Sequence, residues 1–300
     1  MDDPYTPLMP DSLRGDTPPV QRDRFRDGST TVHVERWGDP EAERRVLFLH
    51  GAGGHAGMLA PYAAAVAARG IHVIVPDLPG YGRTHVADRG ALRYEHWVRV
   101  AGEMARAERE DLGARITLVG ASLGGMLAYD VATRTGAAHT VVATCLLDLR
   151  ERHARRHISH MPWMGVLAPR LMRPLAGPLA RVTLPVRLLT DMRAISNRPE
   201  LTRVVLRDRL GGGNSVPLGF LRSYLESRPA TEPEDAEGFS LVLAHPEEDR
   251  WTPVEASLPF FERLAVPTRL VMLPDTGHLP AEEPGVSLLI STIVESATPG

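Results

Sequence analysis

The most constraining feature of this chain is an apolar run, residues 116–120, that leads through Gly-Ala-Ser122-Leu-Gly into a helical pattern at residues 126–132. A strand before and a helix after Gly-x-Ser-x-Gly form a nucleophile elbow, a tight turn that holds the serine at its tip. The two glycines leave room for backbone that a side chain would block. We therefore predict that Ser122 is held out at this turn, with the backbone amide of Leu123 facing the position of an oxyanion. The alternative is a glycine-rich turn between a strand and a helix in which the serine has no catalytic role.

The first half of the chain alternates short apolar runs with loops and helical patterns. The apolar runs are residues 45–50 and 72–76, and the helical patterns are residues 58–69 and 92–112. This alternation predicts a mostly parallel sheet with helices on both faces. Ligands of such sheets bind at the carboxyl ends of the strands. His50, Asp77 and Ser122 each follow a predicted strand, so we expect them to lie at one edge of the sheet.

The strand pattern also divides the chain into parts. Residues 1–22 are rich in Pro, Asp and Arg without periodicity, and we predict an irregular N-terminal arm that is partly mobile. Residues 23–148 and 237–300 carry the pattern of an α/β core. Residues 149–236 contain no convincing buried strand, and their short helical patches predict an inserted helical cap. The glycine run at residues 211–213 is interpreted as a flexible break within it.

Composition excludes several classes of function. All 34 basic residues are arginine, so a Schiff-base lysine and a phosphate-binding P-loop lysine are absent. The single cysteine, Cys145, excludes an intrachain disulfide and a multi-cysteine metal site. A net charge of −3 indicates neither a nucleic-acid partner nor an anionic membrane surface. The sequence shows no signal-peptide pattern and no apolar run of about 18 residues, so we expect a cytoplasmic protein without a transmembrane segment.

A serine hydroxyl becomes a good nucleophile only when a neighbouring base takes its proton. An imidazole is suited to that role, and a carboxylate fixes its tautomer and stabilises the imidazolium. In chains with a nucleophile elbow, the three catalytic residues follow one another along the sequence in the order serine, acid, histidine. His278 is the only histidine after residue 245, and it lies in a loop beyond a predicted strand, residues 268–273. We predict that His278 is the base.

The acid has several candidates. Asp249 follows the strand that resumes the sheet, residues 240–245, and is the favoured choice. Glu247 and Glu248 are close rivals, and Asp148, after the predicted strand at residues 140–147, is an alternative. Downstream of Asp249, the residues Thr252 and Glu255 fit a capping box, with Pro253 at the first helical position.

A second glycine-rich loop follows the first buried strand, in the segment His50-Gly-Ala-Gly-Gly. Small residues let the backbone amide of Ala52 point at a reacting carbonyl, so we predict that Ala52 and Leu123 form an oxyanion hole. His50 is expected to orient this loop by hydrogen bonding.

These segments together resemble the α/β-hydrolase superfamily. The resemblance is carried by His50-Gly-Ala-Gly-Gly, Asp77-Leu-Pro-Gly-Tyr-Gly-Arg-Thr, Gly120-Ala-Ser-Leu-Gly, Glu248-Asp-Arg-Trp-Thr-Pro and Thr276-Gly-His, and it spans residues 30–148 and 236–300. The His50 loop and Gly80-Tyr-Gly are most similar to monoacylglycerol lipases and lysophospholipases. The resemblance implies the α/β-hydrolase fold, with Ser122 as nucleophile, Asp249 as acid and His278 as base, and no metal or cofactor.

The sequence therefore predicts a serine carboxylic-ester hydrolase that acts through an acyl-enzyme on a small, lipid-like ester. Trp163 and Met164, in an apolar segment of the cap, are predicted to line an acyl slot; packing of the cap on the core is the alternative. Other chemistries of the same triad stay open, namely carbon–carbon bond hydrolysis, thioester hydrolysis and cofactor-free perhydrolysis. A non-catalytic receptor on the same fold is a further alternative. The oligomeric state is left open.

Overall fold

The computed structural model of this chain describes residues 3–15, 18–158, 177–186 and 191–298. Its strands are β1 (Val20–Asp27), β2 (Thr30–Trp37), β3 (Arg45–Leu49), β4 (His72–Pro76), β5 (His85–Val86), β6 (Ile116–Gly120), β7 (Ala138–Ala143), β8 (Thr183–Pro185), β9 (Ser215–Pro217), β10 (Ser240–Pro246) and β11 (Thr268–Leu273). Its α-helices are α1 (Ala56–Ala67), α2 (Tyr94–Leu112), α3 (Leu123–Thr135), α4 (Arg152–Ile158), α5 (Pro199–Arg207), α6 (Leu218–Leu225), α7 (Leu258–Phe261) and α8 (Gly285–Ser296). In the described ranges, no helix is long and apolar enough to cross a membrane.

The main sheet has the strand order β1-β2-β4-β3-β6-β7-β10-β11, with β5 paired to β2. Pairing is antiparallel among β1, β2, β4 and β5 and parallel from β4 through to β11. Every residue of β3, β4 and β6 is buried, as expected for central strands covered on both faces. Helix α1 packs with α8, and α2 packs with α3, which gives two helical layers. The prediction of a mostly parallel sheet flanked by helices is confirmed.

Two strands of the sheet, β1 and the two-residue β5, were not expected from the sequence. β1 begins at Val20, inside the segment predicted to be an irregular arm, and pairs along its length with β2 from Val20 opposite Trp37 to Asp27 opposite Thr30. Most of its side chains are exposed, so charged residues on it cost little. Its sequence lacks an alternating pattern because the hydrogen bonds to β2, rather than a buried face, hold it in place.

The described arm residues, 3–15, pack against the rest of the molecule. They form two short 3₁₀ turns, Thr6–Leu8 and Asp11–Leu13, and bury the side chains of Tyr5, Met9 and Leu13. The Tyr5 hydroxyl donates a hydrogen bond to Asp208 Oδ2 over 2.5 Å. The arm therefore joins the core to the segment that contains Asp208.

The segment between β7 and β10 is called the insertion here. Its described residues contribute no strand to the main sheet, but they contain α4, α5 and α6 and a separate antiparallel pair, β8 with β9. These two short strands were not predicted from the sequence, because they are three residues each and too short for a recognisable pattern. The domain boundaries at 22, 148 and 236 stay predictions. Trp163 and Met164 lie outside the described residues.

Candidate active site

The turn at Ser122 has the geometry of a nucleophile elbow. Ser122 follows β6 with φ 54° and ψ −126°, and α3 begins at the next residue. A positive φ is uncommon for a residue other than glycine. A Cβ at Gly120 would lie 2.1 Å from the Gly124 carbonyl oxygen, and one at Gly124 would lie 2.2 Å from the Leu49 carbonyl oxygen. Only glycine fits at both positions, as the motif predicts.

Three predicted side chains from distant parts of the chain meet at this turn. His278 Nε2 lies 2.8 Å from Ser122 Oγ, and His278 Nδ1 lies 2.7 Å from Asp249 Oδ2. Asp249 and His278 are buried, whereas Ser122 is partly exposed. Because Nδ1 faces a carboxylate, it carries the ring proton, which leaves Nε2 free to accept the proton of the serine hydroxyl.

The carboxyl group of Asp249 is held in its ionised form. Its Oδ1 accepts hydrogen bonds from the backbone amides of Trp251 and Thr252, both over 2.8 Å. Burial acts to raise the pKa of this carboxyl, but the charge and hydrogen bond of His278, together with the donors of Thr252, outweigh burial and lower the pKa to about 2. Asp249 therefore presents a negative charge to the imidazole at neutral pH.

Thr252 has a role that sequence reasoning missed. The capping box predicted for Thr252 and Glu255 was wrong, because the helix that follows is a 3₁₀ turn, Val254–Ala256, with Pro253 at its N-cap and no side-chain cap. Instead, Thr252 Oγ1 donates to Asp249 Oδ2 over 2.8 Å and lies 3.1 Å from His278 Nδ1. The hydroxyl donates here to an ionised carboxylate, which makes a stronger hydrogen bond than a neutral acceptor would.

We expect Thr252→Val to lower kcat by roughly tenfold, because losing one hydrogen bond to a charged group costs about 1.5 kcal/mol or more. Steady-state kinetics checks this value. Thr252→Ser keeps the hydroxyl and should retain most of the wild-type kcat. Equal losses in the two variants would mean that the side chain acts through packing rather than through its hydrogen bond.

The other candidate acids do not contact the histidine. Both oxygens of Asp148 accept hydrogen bonds from Arg150, the shortest over 2.7 Å. β7 ends at Ala143, so Asp148 lies farther beyond the strand than its pattern predicted. Glu247 and Glu248 are exposed, and Glu248 Oε2 accepts a hydrogen bond from the Asn197 side chain over 3.0 Å. Among the described residues, Asp249 is the carboxylate hydrogen-bonded to His278.

His50 orients the neighbouring loop, as expected. Its Nδ1 donates to the Gly51 carbonyl oxygen over 2.8 Å, and its Nε2 accepts from the Leu78 amide over 2.9 Å. Burial lowers the pKa of His50 to about 3, so the ring is neutral and makes both bonds in one tautomer. Asp77 fixes the adjoining segments, because Oδ1 accepts from the Ala56 amide at the start of α1 and Oδ2 accepts from the Arg83 amide, each over 2.7 Å.

The loop after His50 lies against the elbow on one side. A Cβ at Gly51 would stand 2.8 Å from the Ser122 Cβ and 3.2 Å from the Leu123 amide nitrogen. In the described part of the chain, the amides of Ala52 and Leu123 donate no hydrogen bond. Both donors are therefore available to a ligand.

The insertion lies against the other side of the same loop. A Cβ at Gly211 would lie 2.5 Å from the Gly53 carbonyl oxygen, and Gly53 itself has φ +78°. The glycine run interpreted as a flexible break is thus a close backbone contact. The insertion also reaches the histidine loop, where the Leu279 amide donates to the Ile195 carbonyl oxygen over 2.8 Å. Neither contact has a signal in the local sequence, because each joins segments far apart in the chain.

No group of three His, Cys, Asp or Glu side chains in the described ranges is arranged to hold a metal ion. The polar side chains that meet at the sheet edge are the serine, histidine and aspartate, with Thr252 behind them. This arrangement can move a proton from a hydroxyl to an imidazole and balance the resulting charge.

Comparison with known proteins agrees with this fold. A family model described as the alpha/beta hydrolase family matches residues 46–287. The chain therefore belongs to the alpha/beta hydrolase family, which confirms the resemblance found in its motifs.

Individual relatives are distant. Protein phosphatase methylesterase 1 of Bos taurus is 30% identical over 117 residues, which is 39% of this chain and 30% of that protein, so this chain spans less than a third of that relative. The crystal structure of Paleococcus ferrophilus monoacylglycerol lipase superposes with a TM-score of 0.69 at 22% identity, covering 88% of this chain and 99% of that one. A soluble variant of Saccharomyces cerevisiae monoglyceride lipase gives 0.71 at 14% identity, covering 95% and 96%. At these identities the two structures support the fold.

Proposed function

We propose that this protein is a serine carboxylic-ester hydrolase that works through an acyl-enzyme. The observation that carries the proposal is the hydrogen-bonded series from Ser122 Oγ through the His278 ring to Asp249 Oδ2, with distances of 2.8 and 2.7 Å. A serine positioned this way at an elbow is set up for nucleophilic attack.

In the first half of the reaction, Ser122 Oγ attacks the ester carbonyl carbon while its proton passes to His278 Nε2. The imidazolium that forms faces the ionised Asp249, whose low pKa keeps the compensating charge in place. The amides of Ala52 and Leu123 hold the negative charge that develops on the carbonyl oxygen. His278 then protonates the leaving alcohol, which departs.

In the second half, the same groups act on water. His278 Nε2, now neutral again, accepts a proton from a water molecule that attacks the acyl-enzyme carbonyl. The oxyanion donors act again, and the proton returns to Ser122 as the acid is released. The chain's own residues therefore supply each proton transfer.

The substrate proposed is a small uncharged ester with an apolar acyl group. The names of the relatives, a methylesterase and monoacylglycerol lipases, describe ester chemistry of those proteins and support the same bond type here. We propose that the insertion is a cap over the site. Its contacts with the loops of Gly53 and Leu279 support this placement.

A panel of p-nitrophenyl esters, an acyl thioester and a peroxide assay tests the reaction type, with Ser122→Ala as the matched control. The proposal predicts ester turnover that the control lacks. Preferred turnover of the thioester, or of peroxide with a carboxylic acid, would replace ester hydrolysis by the corresponding chemistry. Absence of turnover on all substrates, with a folded protein, would favour a receptor.

We expect Gly211→Ala to lower kcat by at least about tenfold, because the added methyl group would push the Gly53 carbonyl and move the proposed Ala52 donor. Complete removal of one oxyanion donor typically lowers kcat by about 10²- to 10³-fold, and this is the upper limit of the effect expected for Gly211→Ala. Kinetics with a short ester measures the effect. Gly15→Ala is the control, since a Cβ there meets nothing within 4 Å. An unchanged kcat in Gly211→Ala would show that the loop tolerates the displacement.

A further inference from the structure

An apolar cavity of about 40 Å³, partly open to its surroundings, lies beside the serine and histidine. Its boundary includes Ser122, His278 and the loop residue Ala52. Its apolar walls are Phe48, Met58, Leu59, Tyr62, Val119 and Leu289. These side chains come from β3, α1, β6 and α8, so the cavity lies between the main sheet and the layer formed by α1 and α8. The insertion contributes Ile195 to the lining.

The side chains that line the cavity favour an apolar ligand. Among the described lining residues there is no aspartate, glutamate or arginine. The Tyr62 hydroxyl is already engaged, because it donates to the Pro280 carbonyl oxygen over 2.6 Å, and both ring nitrogens of His50 have backbone partners. The Thr144 hydroxyl oxygen accepts from the Ser122 amide over 2.9 Å. The polar side chains that line the cavity beside it are Ser122 and His278, and a charged substituent would lose its hydration without compensation.

The order of steps in acyl transfer indicates which part of the ester, the acyl group or the alcohol, can occupy this cavity. The alcohol must leave before water can attack, so it needs a path to solvent. The acyl group stays attached to the serine through both steps, so it can occupy the cavity that adjoins the serine. The cavity volume of about 40 Å³ is small. One water-sized group needs roughly 10–15 Å³, so the cavity holds about three such groups.

We propose that this core cavity, rather than the insertion, is the acyl-chain subsite, and that it selects acyl groups of about two to four carbon atoms. The proposal rests on the proposed ester-hydrolase function and names its substrate class. It requires that the chain length optimum depends on residues of α1, α8 and the sheet.

The first test is the acyl-chain profile of the wild-type protein on p-nitrophenyl esters with one constant leaving group. Each methylene buried in the cavity should raise kcat/KM by up to nearly fourfold, so butyrate should exceed acetate by up to roughly 15-fold. Hexanoate and longer esters should fall below butyrate. A rate that keeps rising through octanoate would overturn the proposal without any variant being needed.

The second test changes the size of the cavity. Leu289→Phe fills it and should reverse the preference towards acetate, whereas Leu289→Ala enlarges it and should move the optimum to a chain longer by one or two carbons. Ile293→Ala is the control, since Ile293 lies one turn further along α8, is equally buried and does not line the cavity. A butyrate-to-acetate ratio unchanged in both Leu289 variants would overturn the proposal.

A binding measurement separates this proposal from the proposed function. Calorimetry with acetamide, butyramide and octanamide on Ser122→Ala does not depend on hydrolysis. Tightest binding of butyramide, combined with no turnover of esters by the wild type, would remove the hydrolase function and retain the subsite. Ester turnover by the wild type, combined with amide binding that is indifferent to chain length, would retain the function and remove the subsite.

Discussion

Ser122→Ala is expected to lower kcat for ester hydrolysis by about 10⁴-fold or more, because the proposed reaction has no other nucleophile. The residual rate reflects substrate binding and the amides of the oxyanion loop. The fold should survive, since Ser122 is partly exposed and alanine meets the same positive φ that serine does. Hydrolysis of a butyrate ester followed over long times measures the change. Circular dichroism checks that the variant is folded.

Ser291→Ala is the matched control for this substitution. Ser291 is exposed on α8, and within the described ranges its hydroxyl hydrogen-bonds only to the local Ser287 carbonyl oxygen. Its replacement should leave kcat at the wild-type value. Ester turnover by Ser122→Ala within tenfold of wild type would exclude Ser122 as the nucleophile.

Asp249→Asn is expected to lower kcat by roughly 10³-fold or more. The amide cannot stabilise the imidazolium, and it can hold the ring in the tautomer that places a proton on Nε2, where Ser122 needs an acceptor. Asp148→Asn is the control, because Asp148 is also a buried carboxylate but is paired with Arg150. It should cost far less activity. A larger loss of activity in Asp148→Asn than in Asp249→Asn would show that Asp249 is not the catalytic acid.

The low pKa of Asp249 also predicts the pH dependence of stability. The folded pKa of about 2 lies below the ordinary value of 3.8, so the ionised group stabilises the fold above pH 3.8. That contribution is lost as the pH falls from 3.8 towards 2. Thermal melting from pH 2 to 6 should therefore show a smaller acid-dependent loss in Asp249→Asn than in the wild type. Identical pH dependence of the two melting curves would contradict the pairing.

Elements with a strong local pattern could be predicted from the sequence. The central strands are continuous apolar runs, and β4 and β11 begin and end where the pattern predicts. The elbow at Ser122 was predictable because its glycines serve a local turn. His278 and Asp249 were predictable because parallel strands place the loops after them at one edge.

Features held by contacts between distant segments could not be predicted. β1 is a charged edge strand that depends on β2, and Tyr5 is buried because the insertion supplies Asp208. Thr252 had a plausible local partner in Glu255, but the buried charge of Asp249 offered a stronger one. Gly211 has no local reason to be glycine, and only its approach to Gly53 explains it.

The same limit applies to the acyl subsite. An apolar segment of the insertion, with Trp163 and Met164, was the visible candidate because it was more apolar than a solvated segment needs. The residues around the core cavity have the sequence character of ordinary core positions, since Leu59 and Leu289 are buried residues of helices α1 and α8. Only their arrangement around Ser122 distinguishes them from packing residues.

Covalent labelling tests the central claim most directly. The protein is treated with a fluorophosphonate, which reacts with an activated serine, and the digest is mapped by mass spectrometry. The account predicts one adduct per chain, on Ser122, that Ser122→Ala abolishes and that Asp249→Asn forms much more slowly. A folded protein that hydrolyses esters yet carries no adduct, or carries it on another residue, would contradict the account.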